Sequence, residues 1–338
     1  MRSLEELEER LSRPRDALVA DLRDLDGDIL VIGAGGKLGP SLVRLALRGI
    51  AAAGTGATVY AASRFSEPGL AESLRADGAE IITADVSTED GLRQLPDVPN
   101  VVFLVGSKFG TVGREHATWA TNTYLPGRVA QRFAGSRIVA LSTGNVYPLV
   151  PVTSGGCTED TIPDPVGEYA MSCLGRERIF TYFAERDGTP TALIRLNYAV
   201  ETRYGVLVDL ARAIRDGEPI DLTTGHVNVV WQGYANEVTL RALRHTSVPP
   251  FVLNVTGPET LSIRQAALVL GELLGRKPQF VEEEAPTALL SNAQRCHRLF
   301  GYPDVTVAEL IEWVAEWVAA DLPLHGKPTH FQRRDGKF

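Results

Sequence analysis

The sequence predicts an α/β protein with a doubly wound parallel sheet and a smaller C-terminal α/β region. Three observations support this fold class. An apolar run over 29–32 ends in closely spaced glycines, apolar residues at helical spacing follow over 38–50, and short apolar runs then alternate with helical patterns along the chain. Such alternation favours parallel strands joined by right-handed crossovers, so the carboxyl ends of the strands meet at one edge, where ligands collect.

The composition narrows the range of functions. The chain has 338 residues, 44% of them hydrophobic, which is enough to bury one large domain or two closely packed ones. A formal charge of −8 and a pI near 5.4 disfavour nucleic acid, which binds clustered Lys and Arg. Cys157, Cys173 and Cys296 show neither disulfide nor zinc-ligand spacing, and no apolar run reaches membrane-spanning length. We therefore expect a cytoplasmic protein with reduced thiols and no metal, nucleic acid or membrane partner.

The first half of the chain predicts a dinucleotide-binding domain behind a helical extension. In the extension, residues 1–26, Ser3 caps a short helix that ends at Pro14. This segment either covers a sheet edge or a subunit contact, or it is solvated. The domain itself is expected over residues 27–190, with strands over 29–32, 58–62, 80–84, 101–105 and 138–141, and helices over 70–76 and 119–133.

The second half, residues 191–325, predicts a substrate-binding region that is interleaved with the same sheet. Strands are expected over 191–196, 227–231 and 251–255, and helices beginning near Glu168 and over 206–215, 235–243, 263–274 and 307–319. No second glycine-rich turn is present, so we expect this half to close over the cofactor. Residues 326–338 are polar and basic and predict an extended surface arm.

The glycine-rich turn indicates a cofactor site. Gly33, Gly36 and Gly39 lack the Cβ atoms that would obstruct a tight turn, a pyrophosphate and the packing of the next helix, and Lys37 and Leu38 lie within the turn. The first-turn amides of that helix are expected to face the phosphates. Alone, this pattern is equally typical of an ordinary loop between a strand and a helix.

Cofactor preference is predicted from the residues that follow the second strand. Ser63 and Arg64 stand where NAD enzymes usually place an acid for the ribose. Arg64 and Lys37 can both meet a 2′-phosphate, which favours NADP over the alternative NAD. The other interpretation is a pair of solvated basic residues at a loop edge. Asp85 and Val86, after the third strand, are expected to flank the adenine.

Several motifs together resemble the extended short-chain dehydrogenase/reductases, specifically their NAD(P)-dependent epimerase/dehydratase branch. The motifs are Gly33-x-x-Gly36-x-x-Gly39, Asp85-Val86, Ser142 to Tyr147, Tyr169 to Cys173, Arg195-Leu-Asn197, and Asn254 to Ser262. The resemblance runs through most of the chain and implies a Rossmann-type sheet and a homodimer that forms through the helices bearing Trp119 and Tyr169. It also implies that the cofactor contacts Val105, Gly106, Asn122, Tyr169 and Asn197.

In that family a tyrosine, a serine or threonine, and a lysine cooperate in hydride transfer. Tyr169 resembles the acid/base, and Thr143 resembles the hydroxyl that binds the reacting oxygen. Cys173 stands where the family has its lysine, and a small packing residue is the favoured interpretation of this thiol. Lys108, in a loop after the fourth strand, is a candidate to replace the missing cation; otherwise it contacts a phosphate or solvent. Arg176 is expected to be a surface or interface group.

The substrate is less clearly indicated. Gly144 and Asn145 stand where dehydratases of this branch carry an acidic pair, which disfavours a sugar 4,6-dehydratase. The stretch 224–231 lacks the arginine that nucleotide-sugar members commonly place there, which disfavours a nucleotide sugar. A neutral polyhydroxylated ligand therefore fits the residues expected at the cleft. They are Lys108, Asn145, Asn197, His226, Asn228, Trp231 and Gln232.

Three functional hypotheses follow. The leading one is an NAD(P)-dependent oxidoreductase or epimerase that acts on a carbohydrate-like alcohol or ketone by hydride transfer. The second is a cofactor-binding sensor or scaffold that has lost catalysis, since Cys173 replaces the active-site lysine. The third is a nucleotide-sugar epimerase, which is supported by the family resemblance alone.

Overall fold

A seven-stranded parallel sheet forms the centre of the computed structural model, which describes residues 1–108 and 113–337. Its strands are β1 (Ile29–Ile32), β2 (Val59–Ser63), β3 (Glu80–Thr83), β4 (Asn100–Phe103), β5 (Arg137–Thr143), β6 (Thr191–Leu196) and β7 (Phe251–Val255). Their spatial order is β7-β6-β5-β4-β1-β2-β3. The connection changes direction between β1 and β4, and a crevice opens at such a switch point. The predicted doubly wound parallel sheet is confirmed.

Thirteen α-helices are described, most of them on the two faces of the sheet. They are α1 (Leu4–Leu11), α2 (Asp16–Arg23), α3 (Gly39–Ala53), α4 (Leu70–Ala76), α5 (Glu89–Arg93), α6 (Glu115–Trp119), α7 (Leu125–Arg132), α8 (Gly167–Asp187), α9 (Val206–Asp216), α10 (Gln232–Arg241), α11 (Ile263–Leu274), α12 (Gln294–Phe300) and α13 (Val307–Ala319). The helix predicted over 119–133 is interrupted, because a π-helical turn over Ala120–Tyr124 joins α6 to α7.

The strand predicted over 227–231 is absent as a single element. His226–Val227 pairs antiparallel with Leu261–Ser262, whereas Val230–Trp231 pairs parallel with Ala199–Val200. Two different partners require two short strands with a break between them, which an apolar run does not reveal.

Alternating residues of β1 pack into two cores, one on each face of the sheet. Ile29 and Val31 belong to the cluster that contains the apolar side of α3, and Leu30 and Ile32 belong to the cluster under α7 and α8. All four side chains are buried, as expected for a parallel strand covered on both faces.

The N-terminal extension is part of the first core. Leu7, Leu11, Leu18 and Leu22 are buried in it, and a Cβ at Gly49 of α3 would lie 2.5 Å from a Leu22 methyl carbon. Helices α1 and α2 therefore cover α3 on a face of the sheet, because their apolar stripes match that helix.

The centre of the C-terminal arm, whose described residues are 326–337, is packed against the molecule. Phe331 is 6% exposed. Thr329 donates its N–H and its hydroxyl to Asp209 Oδ2 at 2.8 and 2.6 Å. The prediction of a surface arm is thus wrong for its centre, because one phenylalanine and one hydrogen-bonded threonine anchor an otherwise polar segment.

Two further features bear on function. No helix within residues 1–108 and 113–337 combines the length and apolarity needed to cross a bilayer. The three cysteines are buried free thiols. Residues 1–108 and 113–337 contain no group of His, Cys, Asp or Glu that could hold a metal ion.

Candidate active site

The glycine-rich turn leads from β1 to α3 with backbone geometry that other residues resist. Gly33 has φ +95°, in the region that favours glycine. A Cβ at Gly39 would lie 2.3 Å from the Ala34 carbonyl oxygen. Since α3 begins at Gly39, the unpaired amides of its first turn lie at this turn. The turn fits the pyrophosphate of a dinucleotide.

A groove of about 320 Å³ runs from this turn along the carboxyl edge of the sheet. Its walls include Gly33, Gly35, Gly36, Ser63, Arg64, Asp85, Val86, Val105 and Gly106. Ser87 donates its N–H and hydroxyl to Asp85, which lowers the pKa of that carboxyl, and the nearby charge of Arg64 acts in the same direction. The structure therefore brings the residues predicted at the adenosine end into one groove.

Lys37 lies elsewhere. Its Nζ is 2.7 Å from the centre of the Tyr204 ring. Burial lowers the pKa of Lys37 to about 7, and the charges of Lys327 and Lys108 act in the same direction. The expectation that Lys37 and Arg64 face one phosphate is not met, because the Lys37 side chain extends toward Tyr204 and Lys108, outside the groove that Arg64 lines.

Tyr169 and Thr143 form the centre of the candidate active site. Thr143 ends β5, Tyr169 lies in the first turn of α8, and their hydroxyls are hydrogen-bonded. Thr143 Oγ1 also donates to Asn145 Oδ1 at 3.1 Å. Burial raises the pKa of Tyr169 above its ordinary value, whereas the Thr143 hydrogen bond and the charge of Arg176 oppose that rise. The phenol therefore needs neighbouring positive charge to ionise.

Lys108 supplies a positive charge close to Tyr169. Its Nζ lies 5.9 Å from the centre of the Tyr169 ring and 6.0 Å from that of Tyr198. Burial lowers the pKa of Lys108 to about 8, while Cys173 and Asp209 favour its charged form. Part of its predicted loop, Phe109 and Gly110, lies outside the described residues.

Arg176 is a second nearby cation, and its expected surface location is wrong. It is 5% exposed and donates to the Asn122 carbonyl at 3.2 Å, to Asn122 Oδ1 at 2.9 Å and to the Leu141 carbonyl at 2.6 Å. Seven residues after Tyr169, it occupies the same helical face two turns later. That spacing could have indicated an inward position, but an arginine on a helix usually lies at the surface.

Cys173 is packed next to Tyr169 and is 1% exposed. It belongs to a small apolar cluster with Val146, Tyr147 and Cys157. Burial raises the pKa of the Cys173 thiol, whereas Arg176 and the hydrogen bond with Tyr169 oppose the rise. This thiol is a neutral packing group at neutral pH.

Asn122 holds the loop that carries Lys108. Its side chain accepts from the Ser107 N–H at 2.8 Å and donates to the Ser107 carbonyl at 2.9 Å and to Ser172 Oγ at 3.0 Å. A Cβ at Gly106 would lie 3.0 Å from an Arg176 nitrogen. Asn122 therefore acts as a buried support in this structure, while Val105 and Gly106 line the groove.

The asparagines predicted at the cleft divide into two groups. Asn145 bonds to Thr143, and the Asn197 side chain lies beside Gly144, where a Cβ would approach it at 3.2 Å. Asn228 instead joins two loops, because it donates to the Glu259 carbonyl at 3.0 Å and accepts from the Ser291 N–H at 2.8 Å.

Three other predicted substrate residues make their contacts away from Thr143 and Tyr169. Trp231 is buried and meets Trp313 edge-on at 5.6 Å, and Gln232 Nε2 donates to Ser41 Oγ of α3 at 3.0 Å. His226 pairs with Ser262, and its buried Nδ1 has no hydrogen-bond partner in the described part of the chain. Trp231 and Gln232 point into the core because α10 begins immediately after the short strand.

Tyr198 is a cleft residue that the sequence did not indicate. It adopts φ +43°, which is uncommon for a residue with a Cβ, and burial raises its pKa to about 12. It lines a small cavity of about 30 Å³. The other walls are Asn145, Tyr147, Leu149, Val166, Thr224, Leu289, Phe331, Arg333, Arg334 and Gly336.

Solved structures share this fold at low sequence identity. UDP-glucuronic acid 4-epimerase from Bacillus cereus in complex with NAD has a TM-score of 0.73 and 19% identity, over 86% of this chain and 96% of that chain. UDP-glucose 4-epimerase from Thermotoga maritima with UDP-glucose has a TM-score of 0.72 and 18% identity, over 86% of this chain and 98% of that chain. No match was found among curated protein sequences.

The family is shown by the sequence itself. The sequence model of the NAD dependent epimerase/dehydratase family matches residues 29–230, from β1 to the short strand before α10. This range contains the glycine turn, Thr143 and Tyr169, and the resemblance of the motifs is confirmed. Because the match spans well over half of the 338 residues, the chain belongs to the NAD dependent epimerase/dehydratase family of enzymes.

Proposed function

We propose that this protein is an NAD(P)-dependent epimerase or oxidoreductase that acts on an alcohol or ketone of a carbohydrate-like substrate. The observation that carries the proposal is the hydrogen-bonded pair Tyr169 and Thr143 beside Lys108. Interconversion of an alcohol and a ketone needs a group that takes and returns a proton and a second group that holds the oxygen. Both hydroxyls are in reach of one oxygen atom.

The chain's own residues have distinct roles in this reaction. When bound, the nicotinamide supplies hydride chemistry. Tyr169 takes the proton of the substrate hydroxyl, and Thr143 donates a hydrogen bond to the same oxygen. Lys108 and Arg176 stabilise the negative charge on the Tyr169 oxygen, and Asn122 holds both the Lys108 loop and Arg176.

NADP is the proposed cofactor, with NAD as the alternative. Arg64 lines the groove beside Ser63 and Asp85, and Ser63 and Arg64 stand at the end of β2, where an acid would bind the ribose hydroxyls. A cation in this position favours a 2′-phosphate. Lys37 is left out of this proposal because its side chain extends toward Tyr204.

The substrate is proposed to be a sugar or sugar derivative, and the solved structures include complexes of UDP-sugar epimerases. The test is to incubate the purified protein and either cofactor with UDP-glucose, UDP-glucuronic acid, free sugars and sugar acids. Reduced nicotinamide is followed by absorbance and epimers by NMR. We expect turnover with at least one carbohydrate, lost in Tyr169→Phe and retained in Tyr302→Phe, which changes an exposed tyrosine.

Two results would contradict this function. Turnover that survives Tyr169→Phe would remove the proposed acid/base. Cofactor binding without turnover on every carbohydrate would instead support a cofactor-binding sensor, for which the replacement of the family lysine by Cys173 is the motivating observation.

A homodimer is proposed as the working assembly. Helices α6 to α8 expose Trp119, Tyr124, Met171 and Tyr182 on the outside of the molecule. Exposed aromatic and methionine side chains on adjacent helices are typical of subunit contacts. These helices also carry Tyr169, so pairing would stabilise the elements that form the active site.

A further inference from the structure

The C-terminal arm continues past Phe331 to the beginning of α8. Thr224 Oγ1 donates to the Gln332 carbonyl at 3.3 Å. Gly336 packs directly on Val166, where a Cβ at Gly336 would lie 2.3 Å from the carbonyl oxygen. Because α8 starts at the next residue and carries Tyr169, the arm ends beside the helix that bears the proposed acid/base.

Two arginines of the arm line the cavity that Tyr198 and Asn145 share. The Arg334 guanidinium donates to the carbonyl and hydroxyl oxygens of Thr287, both at 2.6 Å. Burial lowers the pKa of Arg334. Arg333 is exposed, and its backbone N–H donates to the His330 carbonyl at 3.0 Å.

Arg334 differs in its partners from most of the partly buried arginines of the chain. Arg195 and Arg203, for example, form ion pairs with Glu177 and Glu201 at 2.7 and 3.0 Å. In the described part of the chain, neither Arg333 nor Arg334 forms an ion pair with a carboxylate. A partly desolvated guanidinium that meets only neutral oxygens favours an anion that presents two oxygen atoms to it.

The arginines are connected to the reacting groups through the cavity wall. Asn145 lines the cavity and is hydrogen-bonded to Thr143 at 3.1 Å. Tyr198 lines it as well, and the centre of its ring is 6.0 Å from Lys108 Nζ. A substrate whose reacting oxygen meets Tyr169 can therefore extend another group toward the arm.

We propose that Arg334, assisted by Arg333, binds an anionic group of the substrate, either a phosphate or a carboxylate, and that the arm determines substrate specificity. This inference rests on the proposed function, which places the substrate at Tyr169. It replaces the neutral ligand that the sequence favours. The stretch 224–231 lacks an arginine, whereas the arm brings two to the same wall that Thr224 forms.

The arm also has to move during binding. The cavity of about 30 Å³ has room for about one water molecule, so a sugar ring cannot enter beneath the arm as it stands. The substrate enters when the arm opens, and the arginines then close on its anionic group. The contact of Thr329 with Asp209 holds the base of the arm, and buried Phe331 forms part of the cavity wall together with Arg334.

The test measures binding to the full chain by calorimetry, with NADP present, and uses two anionic probes and one neutral one. UDP carries a diphosphate, glucuronate carries a carboxylate, and glucose carries neither. Arg334→Gln should weaken binding of UDP or of glucuronate by about tenfold or more, since charge-assisted hydrogen bonds are lost. Arg334→Lys keeps the positive charge but loses the paired N–H donors of the guanidinium, so its affinity for the anion should lie between those of the wild type and Arg334→Gln. The matched control is Lys337→Gln, at an exposed arm position outside the cavity wall.

Each outcome decides between the possibilities. Weaker UDP binding identifies a phosphate, weaker glucuronate binding identifies a carboxylate, and equal NADP affinity in all variants excludes a general loss of structure. The inference is overturned if wild-type protein binds neither anion, or if Arg334→Gln and Lys337→Gln bind both equally well. Anion binding through Arg334 without turnover of any carbohydrate would refute the proposed function alone. Turnover unaffected by Arg334→Gln would refute the arm's role alone.

Discussion

Replacing Lys108 with methionine tests whether a lysine from outside α8 supports Tyr169. The Lys108 Nζ lies 5.9 Å from the centre of the Tyr169 ring. That distance is to the ring and not to the phenol oxygen, so it sets only the scale of the interaction: two unit charges about 6 Å apart attract by roughly 3 kcal/mol at an effective dielectric constant of about 20. That energy corresponds to about two pKa units, and water in the cleft reduces it to about one. Lys108→Met should therefore lower kcat/KM at neutral pH by roughly tenfold to a hundredfold.

The effect of Lys108 on kcat/KM should depend on pH in a predictable direction. A lysine is charged below its pKa, and that of Lys108 is lowered to about 8 by burial. Its help is thus present below about pH 8 and is lost as the pH rises through that value. The ratio of wild-type to Lys108→Met kcat/KM should be largest below about pH 8 and should approach one above it.

The assay is the pH profile of kcat/KM on whichever carbohydrate the protein converts, with cofactor saturating. Lys277→Met is the matched control, because Lys277 is an exposed lysine in the loop after α11. A ratio that stays constant from neutral to alkaline pH, or a variant as fast as wild type, would refute the electrostatic reasoning. Either result would leave Lys108 as a structural residue of its loop.

Four other outcomes are expected. Arg64→Asp should weaken NADP binding about tenfold more than NAD binding, and calorimetry with both cofactors measures the difference. Glu177→Gln leaves buried Arg195 without its carboxylate at 2.7 Å and should lower the free energy of unfolding in urea by about 3 kcal/mol. Cys173→Ala should change turnover by less than about twofold, because the thiol is neutral. Met171→Asp should convert the proposed dimer to a monomer in light scattering.

The parts of the fold that the sequence predicted are those governed by local periodicity. The ranges 70–76, 191–196, 251–255, 263–274 and 307–319 coincide with the observed elements. Each combines a continuous apolar pattern with a polar or glycine boundary, so the local signal and the tertiary packing agree. The glycine turn was equally predictable from the sequence, because the residue that excludes a Cβ at Gly39 is Ala34, only five positions earlier.

The site was less predictable wherever side-chain direction depends on distant partners. Trp231 is aromatic and Gln232 is polar, as is common for residues of a sugar-binding cleft. In the structure, however, Trp231 packs against Trp313 and Gln232 donates to Ser41, so both side chains are buried in the core. Neither partner is near in sequence. Tyr198 is the converse case, since its positive φ lies between β6 and a short strand that pairs with a segment about thirty residues later.

The arm shows how composition misleads about burial. Residues 326–338 are basic and contain few apolar groups, which is the usual pattern of a solvated tail. Among the described residues of the arm, Phe331 supplies the apolar anchoring, and Thr329 donates two hydrogen bonds to Asp209. Asp209 lies more than a hundred residues before Thr329, and Phe331 packs against the assembled core. No pattern within the arm therefore predicts these contacts.

The replacement of the family lysine by Cys173 is best understood through the charge around Tyr169 rather than through the motif. What the phenol needs is positive potential at its oxygen, and Coulomb's law does not distinguish which element supplies it. Lys108 comes from the loop after β4, and Arg176 comes from α8 one turn beyond the thiol. Cys173→Lys would put a third cation among them, next to a site already enclosed enough to lower the pKa of Lys108. Mutual repulsion would then offset much of the gain, so a small neutral side chain at this position is compatible with catalysis.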